Sequence, residues 1–411
     1  MGTNANVAST NGCLETRKPP GFAQNAKAPI GINPKGSNSM YTETIPWKNS
    51  KQPLNNNLHN MCSYLAMFPP ALPNHFIRKY SSVGDVVLDP FSGRGTTILE
   101  ACKLNRIGIG NDLNPLAFVL TKAKADVPEK GRIISRIKLL KDRFSISSVD
   151  VSTVDEDIKM LFSDPTLAQL IFLKKQLDWK HSKVDTFIVA ILLGILHGKS
   201  NGYLSLSMPN TFSMSPNYIR KFVSEHGLER PERDVFELLS RKIERIYEKP
   251  PVKGKAYAQD TQSMSRIGDS SVDLIVTSPP YTRVITYGKY NWIRLWLLNK
   301  EAAQVDKKLF FSESIPKYVE FMNGALLEFK RVLKKNGIAV LVIGDVKHRQ
   351  KDFDYNLAQI VWEHCAVPNG FILKEEIIED SINSNSKVSK IWGKTKGRAT
   401  EIDRIMVLQK P

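Results

Sequence analysis

Hydrophobic and polar positions divide the chain into two stretches of strand–helix alternation, separated by a long helical interval. In the first stretch, Asp85–Asp89 is a short apolar run and Thr96–Leu104 has helical spacing. Ile107–Asp112 is a second apolar run and Asn114–Ala125 a second helix. Just upstream, residues 67–77 place prolines at the start of a helix, ahead of an apolar face. From 127 to 250 the period is mainly helical and the charge strongly mixed; residues 234–248 set Val235, Leu238, Leu239, Lys242 and Ile246 near one face. Alternation resumes with apolar runs at 254–260, 272–278, 337–344, 371–378 and 404–408, and helical stretches at 287–298, 314–334 and 352–366.

This order of elements predicts an α/β fold, with a seven-stranded, mostly parallel sheet covered on both faces by helices. A polar loop without a helix joins the last two strands, which predicts a C-terminal antiparallel hairpin. The interval 127–250 is too long for a connector and is expected to be an inserted, separately packed, mainly helical module. Residues 1–50 are rich in Asn, Gly, Pro, Ser and Lys without periodicity and read as a disordered arm. Residues 51–126 and 251–411 are then the two halves of the sheet domain.

Composition adds a partner class. The 411 residues carry a formal charge of +17, which points to a polyanion or, failing that, to a merely basic surface. Four cysteines without CxxC or Cys/His spacing read as reduced thiols, giving neither a disulfide frame nor a metal site. The N-terminus is polar, and the longest apolar run, Phe187–Leu196, is too short to span a bilayer. A cytoplasmic protein without a membrane partner is expected.

Two turns carry the chemistry. In Asp89-Pro-Phe-Ser-Gly-Arg-Gly-Thr96, Gly93 and Gly95 allow a tight turn and close ligand approach, and the next helix offers its free N–H groups there. Asp112, ending the second strand, suits the two hydroxyls of a ribose, and Asp260, ending the third, suits an adenine amino group. A bare tight turn would also explain the glycines; no Gly-Lys-Ser/Thr follows them, which disfavours phosphate cleavage. In Thr277-Ser-Pro-Pro-Tyr281, consecutive prolines end the strand and fix the backbone. Ser278 and the Pro279 carbonyl can accept the two N–H bonds of an aromatic amine, making its nitrogen more tetrahedral and its lone pair available. Tyr281 offers a face for stacking.

These motifs resemble those of the amino-methyltransferases of bacterial restriction–modification systems, over residues 58–125 and 254–411. The resemblance implies a Rossmann-like class I methyltransferase fold, S-adenosylmethionine as cofactor and double-stranded DNA as partner, with a cognate restriction endonuclease. It assigns Asp89, Phe91, Gly93, Gly95 and Thr96 to the cofactor, with Asp112 at its ribose and Phe68 completing the pocket. Ser278, Pro279, Pro280 and Tyr281 would hold the target base after extrusion from the duplex. Within that family Ser at the first position goes mostly with cytosine N4, and Asp or Asn with adenine N6. Cytosine N4 methylation is therefore the leading reading, ahead of adenine N6, an RNA base methyltransferase and a non-catalytic DNA-binding module. Ring-carbon methylation needs a Cys after Pro, and no cysteine here follows one.

The order of cofactor motif, insertion and catalytic motif matches members whose target-recognition region lies between the two, although Ser-Pro-Pro-Tyr members more often place the catalytic motif first. Arg220 and Lys221 in the insertion, and Lys390, Trp392 and Lys394 in the hairpin loop, are candidate DNA contacts. Helix capping and loop anchoring are the competing readings.

Overall fold

Parallel strands lie at the centre of the computed structural model, which describes residues 47, 57–65, 69–210, 212–282, 286–347, 354–381 and 402–411. The main sheet has eight strands. Val86–Asp89 (β1), Ile107–Asn111 (β2), Lys255–Tyr257 (β3), Val272–Thr277 (β4) and Leu333–Gly344 (β5) run parallel in the order β3-β2-β1-β4-β5. A two-stranded pair, Val346–Lys347 (β6) with Asp354–Tyr355 (β7), stands apart. Ile372–Leu373 (β8) and Ile378–Ser381 (β9) both pair antiparallel with Ile402–Gln409 (β10), which is itself antiparallel to β5.

The two-residue period of the strands decides which layer each side chain joins. Along β5, Ala339, Leu341 and Ile343 enter one core, while Ile338, Val340 and Val342 enter the core on the opposite face. On β10, Met406 and Leu408 join the first, and Ile405 and Val407 the second. The second core is closed by Ala71–Tyr80 (α1), through Leu72, Phe76 and Ile77, and by Trp47. Trp47 lies within the stretch that composition assigns to a disordered arm, so that assignment fails at this residue; 1–46 and 48–50 lie outside the described residues.

Thr96–Lys103 (α2) and Pro115–Ala125 (α3) follow β1 and β2 at the expected places. The 127–250 interval is helical as expected: Lys130–Arg143 (α4), Glu156–Lys159 (α5), Asp164–Gln176 (α6), Lys183–Ile195 (α7), Pro216–His226 (α8) and Val235–Ile246 (α9). Beyond β4 come Trp292–Leu297 (α10), Ala302–Lys308 (α11), Ile315–Val332 (α12) and Leu357–Val361 (α13).

Three expectations need correction. The insertion does not pack separately: Leu116, Val119 and Leu120 of α3 and Ile293, Leu295 and Leu297 of α10 share one core with α4, α6, α7 and α9. The cause is α7, buried at every position from Asp185 to Ile195 because α3 packs along it. Second, the run 371–378 is two short strands, giving eight instead of seven. Glu375 leaves the ladder to pair with Lys79 at 2.6 Å and with the Tyr80 hydroxyl, both on α1. Third, the helix expected from 352 begins at Leu357, where Asn356 Oδ1 accepts from Gln359 N at 2.9 Å, because 354–355 are taken by β7. Its last turn, 362–366, widens to a π-helix.

The insertion meets the sheet domain at close range. A Cβ on Gly194 of α7 would stand 1.8 Å from the Met61 carbonyl oxygen, so only glycine lets this helix lie on the 57–62 segment. Gly194→Ala is expected to cost about 3 kcal/mol through overpacking against backbone. Urea denaturation followed by circular dichroism checks this, and an unchanged midpoint would contradict it.

Candidate active site

Three strand ends meet at the carboxyl edge of the sheet: Asp89 of β1, Thr277 of β4, and Asp112 just past β2. Strands β2 and β4 lie on opposite sides of β1, so β1 is the switch point, where open α/β sheets form their ligand crevice. The two motifs are joined directly here. Thr277 Oγ1 donates to Asp89 Oδ1 at 2.6 Å, both residues being buried. Phe91 N donates to the same oxygen at 3.2 Å, and Thr97 Oγ1 donates to the Val276 carbonyl at 3.3 Å. Burial pushes the Asp89 carboxyl up to about 6, against the opposing effect of its hydrogen bonds from Thr277 and Phe91.

The glycine turn has the shape that a ligand cradle requires. Gly93 and Gly95 have φ of +50° and +78°, and a Cβ on Gly95 would lie 3.0 Å from both Cα and Oγ1 of Thr121 on α3. The turn is held from below: Lys124 Nζ donates to the Arg94 carbonyl at 2.5 Å, and Arg94 Nη1 donates to the His59 carbonyl at 3.0 Å. Lys124 is fully buried, and desolvation, with the Arg94 charge adding to it, drives its ammonium well below the usual lysine range.

Asp112 closes the cradle. Its Oδ2 accepts from Gly93 N at 2.8 Å and its Oδ1 from Asn114 N at 2.9 Å. A carboxylate has about four acceptor sites, so each oxygen keeps capacity for a hydroxyl. Burial pushes this carboxyl up to about 7, while the two N–H bonds oppose the rise. Tyr64 and Tyr287 stand beside it, rings stacked 5.7 Å apart, and Asn114 Nδ2 donates to the Tyr64 hydroxyl at 3.1 Å. Burial first, and the neighbouring Asp112 charge second, raise both phenols.

Past Thr277 the Ser-Pro-Pro-Tyr turn folds back on itself. Ser278 Oγ lies 3.2 Å from the Tyr281 hydroxyl, which donates to Asp403 Oδ1 at 3.4 Å. Asp403 is on β10, opposite Gly344 of β5, so the antiparallel strand brings its first residues to the edge where the parallel strands end.

The remaining predicted site residues are dispersed. Asp260 is exposed three residues beyond β3, where its Oδ1 accepts from Gln262 N at 2.9 Å. Thr96 is buried, its hydroxyl accepting from Arg94 Nε at 3.2 Å, and the Phe91 ring packs 5.9 Å from Phe321. Arg220 on α8 pairs with Asp157 and donates to Asn217, and Lys221 pairs with Glu225 at 3.6 Å. Lys242 of α9 donates to the Asn60 carbonyl at 2.8 Å. Phe68, Lys390, Trp392 and Lys394 lie outside the described residues.

Tyr64, Tyr287 and Asp403 escaped the motif reading. The only local signals are an aromatic just before the proline-rich helix, one shortly after the catalytic turn, and an acid at the start of the final strand.

Among the described residues no cluster of His, Cys, Asp and Glu could hold a metal, and no helix is long and apolar enough to cross a membrane. Cys62, Cys102 and Cys365 are buried free thiols; Cys13 lies outside the described residues.

The family model described as DNA methylase, covering N6 and N4 enzymes, matches residues 23–122 and 272–402. The chain belongs to this family. The matched stretches contain both turns and flank the insertion. The chain is 26% identical over 285 residues to the Type II methyltransferase M.BsoBI of Geobacillus stearothermophilus, covering 62% of this chain and 54% of that protein. It is 25% identical over 138 residues to M.MjaII of Methanocaldococcus jannaschii, covering 33% of this chain and 26% of that protein. The chain thus spans about half or less of the length of these curated relatives. Among solved structures, a SAM-dependent methyltransferase of Methanosarcina mazei matches with 12% identity and a TM-score of 0.35, over 84% of this chain and all but 1% of that one (99% covered). That likeness is too distant to add to what the strand order shows.

The cofactor that the motif resemblance implies is S-adenosylmethionine. The positive-φ glycines and the spare acceptor capacity of Asp112 fit its nucleoside end.

Both motif carboxyls favour the protonated form in the folded chain. Their contribution to stability is therefore complete below the ordinary aspartate range near pH 4 and is lost as pH rises through about 6 for Asp89 and about 7 for Asp112. Ligand hydroxyls donating to Asp112 favour its ionised form, so binding should release a proton and tighten with rising pH. Between pH 8 and pH 6 the affinity for S-adenosylmethionine is expected to fall by up to about tenfold, and Asp112→Asn should flatten this. Titration calorimetry in buffers of different ionisation enthalpy reads both quantities; pH-independent binding without proton release would contradict the assignment.

Proposed function

We propose that the chain transfers a methyl group from S-adenosylmethionine to the N4 amino group of a cytosine extruded from duplex DNA, as the modification enzyme of a Type II restriction–modification system. The observation that carries this reading is the 2.6 Å bond between Thr277 and Asp89, which fixes the acceptor turn beside the cofactor turn on neighbouring strands.

The cofactor supplies an electrophilic methyl group. Asp112 would hold the ribose hydroxyls, and Gly93 and Gly95 would let the backbone come close to the rest of the molecule. Ser278 Oγ and the Pro279 carbonyl would accept the amine N–H bonds, countering delocalisation of the nitrogen lone pair into the ring. The Tyr281 ring would stack on the base, within an apolar surround shared with Phe310 and Tyr318. A serine at the head of the turn favours cytosine N4 over adenine N6.

The helical insertion is the proposed target-recognition module. Its support is its contact with the catalytic side: Ser213 N donates to the Tyr290 carbonyl and Trp292 Nε1 to the Met214 carbonyl, both at 2.8 Å. The formal charge of +17 supplies attraction for the DNA backbone. A cognate endonuclease would cleave the same sequence when unmodified.

Mass spectrometry of nucleosides after incubation with DNA and isotopically labelled cofactor should find the label in N4-methylcytosine. Label confined to N6-methyladenine would replace the cytosine reading, and label found only in RNA would overturn both. In the same assay Ser278→Ala should lower kcat by about a hundredfold, with cofactor affinity within about twofold. Asp112→Ala should principally weaken cofactor binding. Equal effects of the two substitutions on cofactor affinity would contradict the division of roles.

A further inference from the structure

We propose that Asp403 is a positioning residue for the transfer reaction, acting through Tyr281 to set the direction of the Ser278 hydroxyl. This rests on the amine-binding role proposed above for Ser278. The residues form a chain across the rim of the sheet: Asp403 Oδ1 is 3.4 Å from the Tyr281 hydroxyl, which is 3.2 Å from Ser278 Oγ. The first comes from β10 and the other two from the turn after β4.

The argument is one of donor and acceptor polarity. A hydroxyl has one proton to give and two lone pairs. To receive an amine N–H, Ser278 must present oxygen lone pairs and send its own proton elsewhere. A carboxylate accepts and cannot donate, so ionised Asp403 takes the Tyr281 proton. The Tyr281 oxygen is then left to accept from Ser278, and the Ser278 oxygen to face the amine. Without an acceptor at 403, Tyr281 can donate to Ser278, turning the serine proton toward the amine donors.

The surroundings show what controls this end of the chain. Asp403 is partly buried between β5 and β9, facing Asp380 of β9 and Asp345 just after β5. Arg404 is engaged by Asp345 at 3.0 Å and by Glu379. Burial, then the Asp380 and Asp345 charges, push the Asp403 carboxyl up to about 6, while the Tyr281 hydrogen bond pulls it down. As pH falls through about 6 Asp403 acquires a proton, becomes a donor, and the polarity of the chain is lost. Asp89 titrates in the same range, so the test compares variants and does not depend on a single pH profile.

The experiment uses the full chain, with Asp403→Ala (which removes the acceptor), Tyr281→Phe and the double variant. In single-turnover assays on unmethylated substrate DNA, each single substitution is expected to lower the rate roughly tenfold, with half-saturating concentrations of cofactor and DNA within about twofold. The double variant should lose no more than the worse single one, because both interrupt the same chain. The acid limb near pH 6 should shrink in both. A fully active Asp403→Ala, or losses that multiply, would overturn the proposal.

A second readout needs no turnover: carboxyl-labelled aspartate NMR, with the Asp403 resonance identified by its absence in Asp403→Ala. Tyr281→Phe should move its midpoint upward by about half a unit; an unmoved midpoint would overturn the proposal. A wild-type chain that methylates no base would refute the proposed function separately, leaving the NMR comparison to decide whether Tyr281 and Asp403 are linked.

Discussion

The site depends on one buried hydrogen bond, from the Thr277 hydroxyl to the Asp89 carboxylate. It joins the last residue of β4 to the last residue of β1, and with them the two turns that follow. In the sequence these residues are 188 positions apart. The strand pairing Val87–Leu274 and Leu88–Ile275 brings the strands together, but a backbone ladder does not orient the turns beyond it. The side-chain bond does. Its acceptor carries the cost of burial, visible as a carboxyl pushed up to about 6, and breaking the bond would leave that group unsatisfied in the core.

The same economy runs beneath the cofactor turn. Glu100 on α2 is fully buried and takes His59 Nε2 at 2.7 Å, Asn74 Nδ2 at 2.6 Å and Lys103 Nζ at 2.9 Å. Three segments, 57–60, α1 and α2, are thereby referred to one carboxylate, whose hydrogen bonds hold it below the usual glutamate range despite its desolvation. A shared buried acceptor of this kind rigidifies the segments it joins, whereas removing one member strands the others. Buried Lys124 and partly buried Arg94 add two cations that donate to backbone carbonyls of the turn and of the segment below it. The glycine turn is therefore rigid at its base and open on the side that Asp112 faces.

The legible parts of the molecule were those whose cause is local. β1, β2, β4, α2 and α3 follow from short apolar runs, helical spacing and the Gly and Pro residues that end them, all within about ten residues. The split of 371–378 was not legible, because Glu375 leaves the ladder for Tyr80, 295 positions away. The apolar run Phe187–Leu196 likewise says that α7 is buried without saying against what, and the answer was α3 together with α4 and α9. At the site, Asp112 was readable from its strand-end position. Tyr64, Tyr287 and Asp403 gain their place only from tertiary packing, through contacts with Asn114, Tyr64 and Tyr281 respectively.

The shared core changes what the insertion is in physical terms. A module hinged on two linkers would move freely against the sheet; this one cannot, since its central helix is a common wall. Arg294 of α10, only 1% exposed, makes the point: it donates to the Leu193 carbonyl of α7 at 3.1 Å, to Asn291 at 2.9 Å and to Ser63 at 3.0 Å. One buried guanidinium thus spans the insertion, the segment after the catalytic turn and the segment leading to the cofactor side. Displacement of α7 against the sheet would take the Leu193 acceptor away from this buried guanidinium, a costly loss for a desolvated charge. The position of the insertion relative to the two turns is accordingly set by the fold itself, and a DNA surface carried on it would be held in register with the Ser-Pro-Pro-Tyr turn before any DNA arrives.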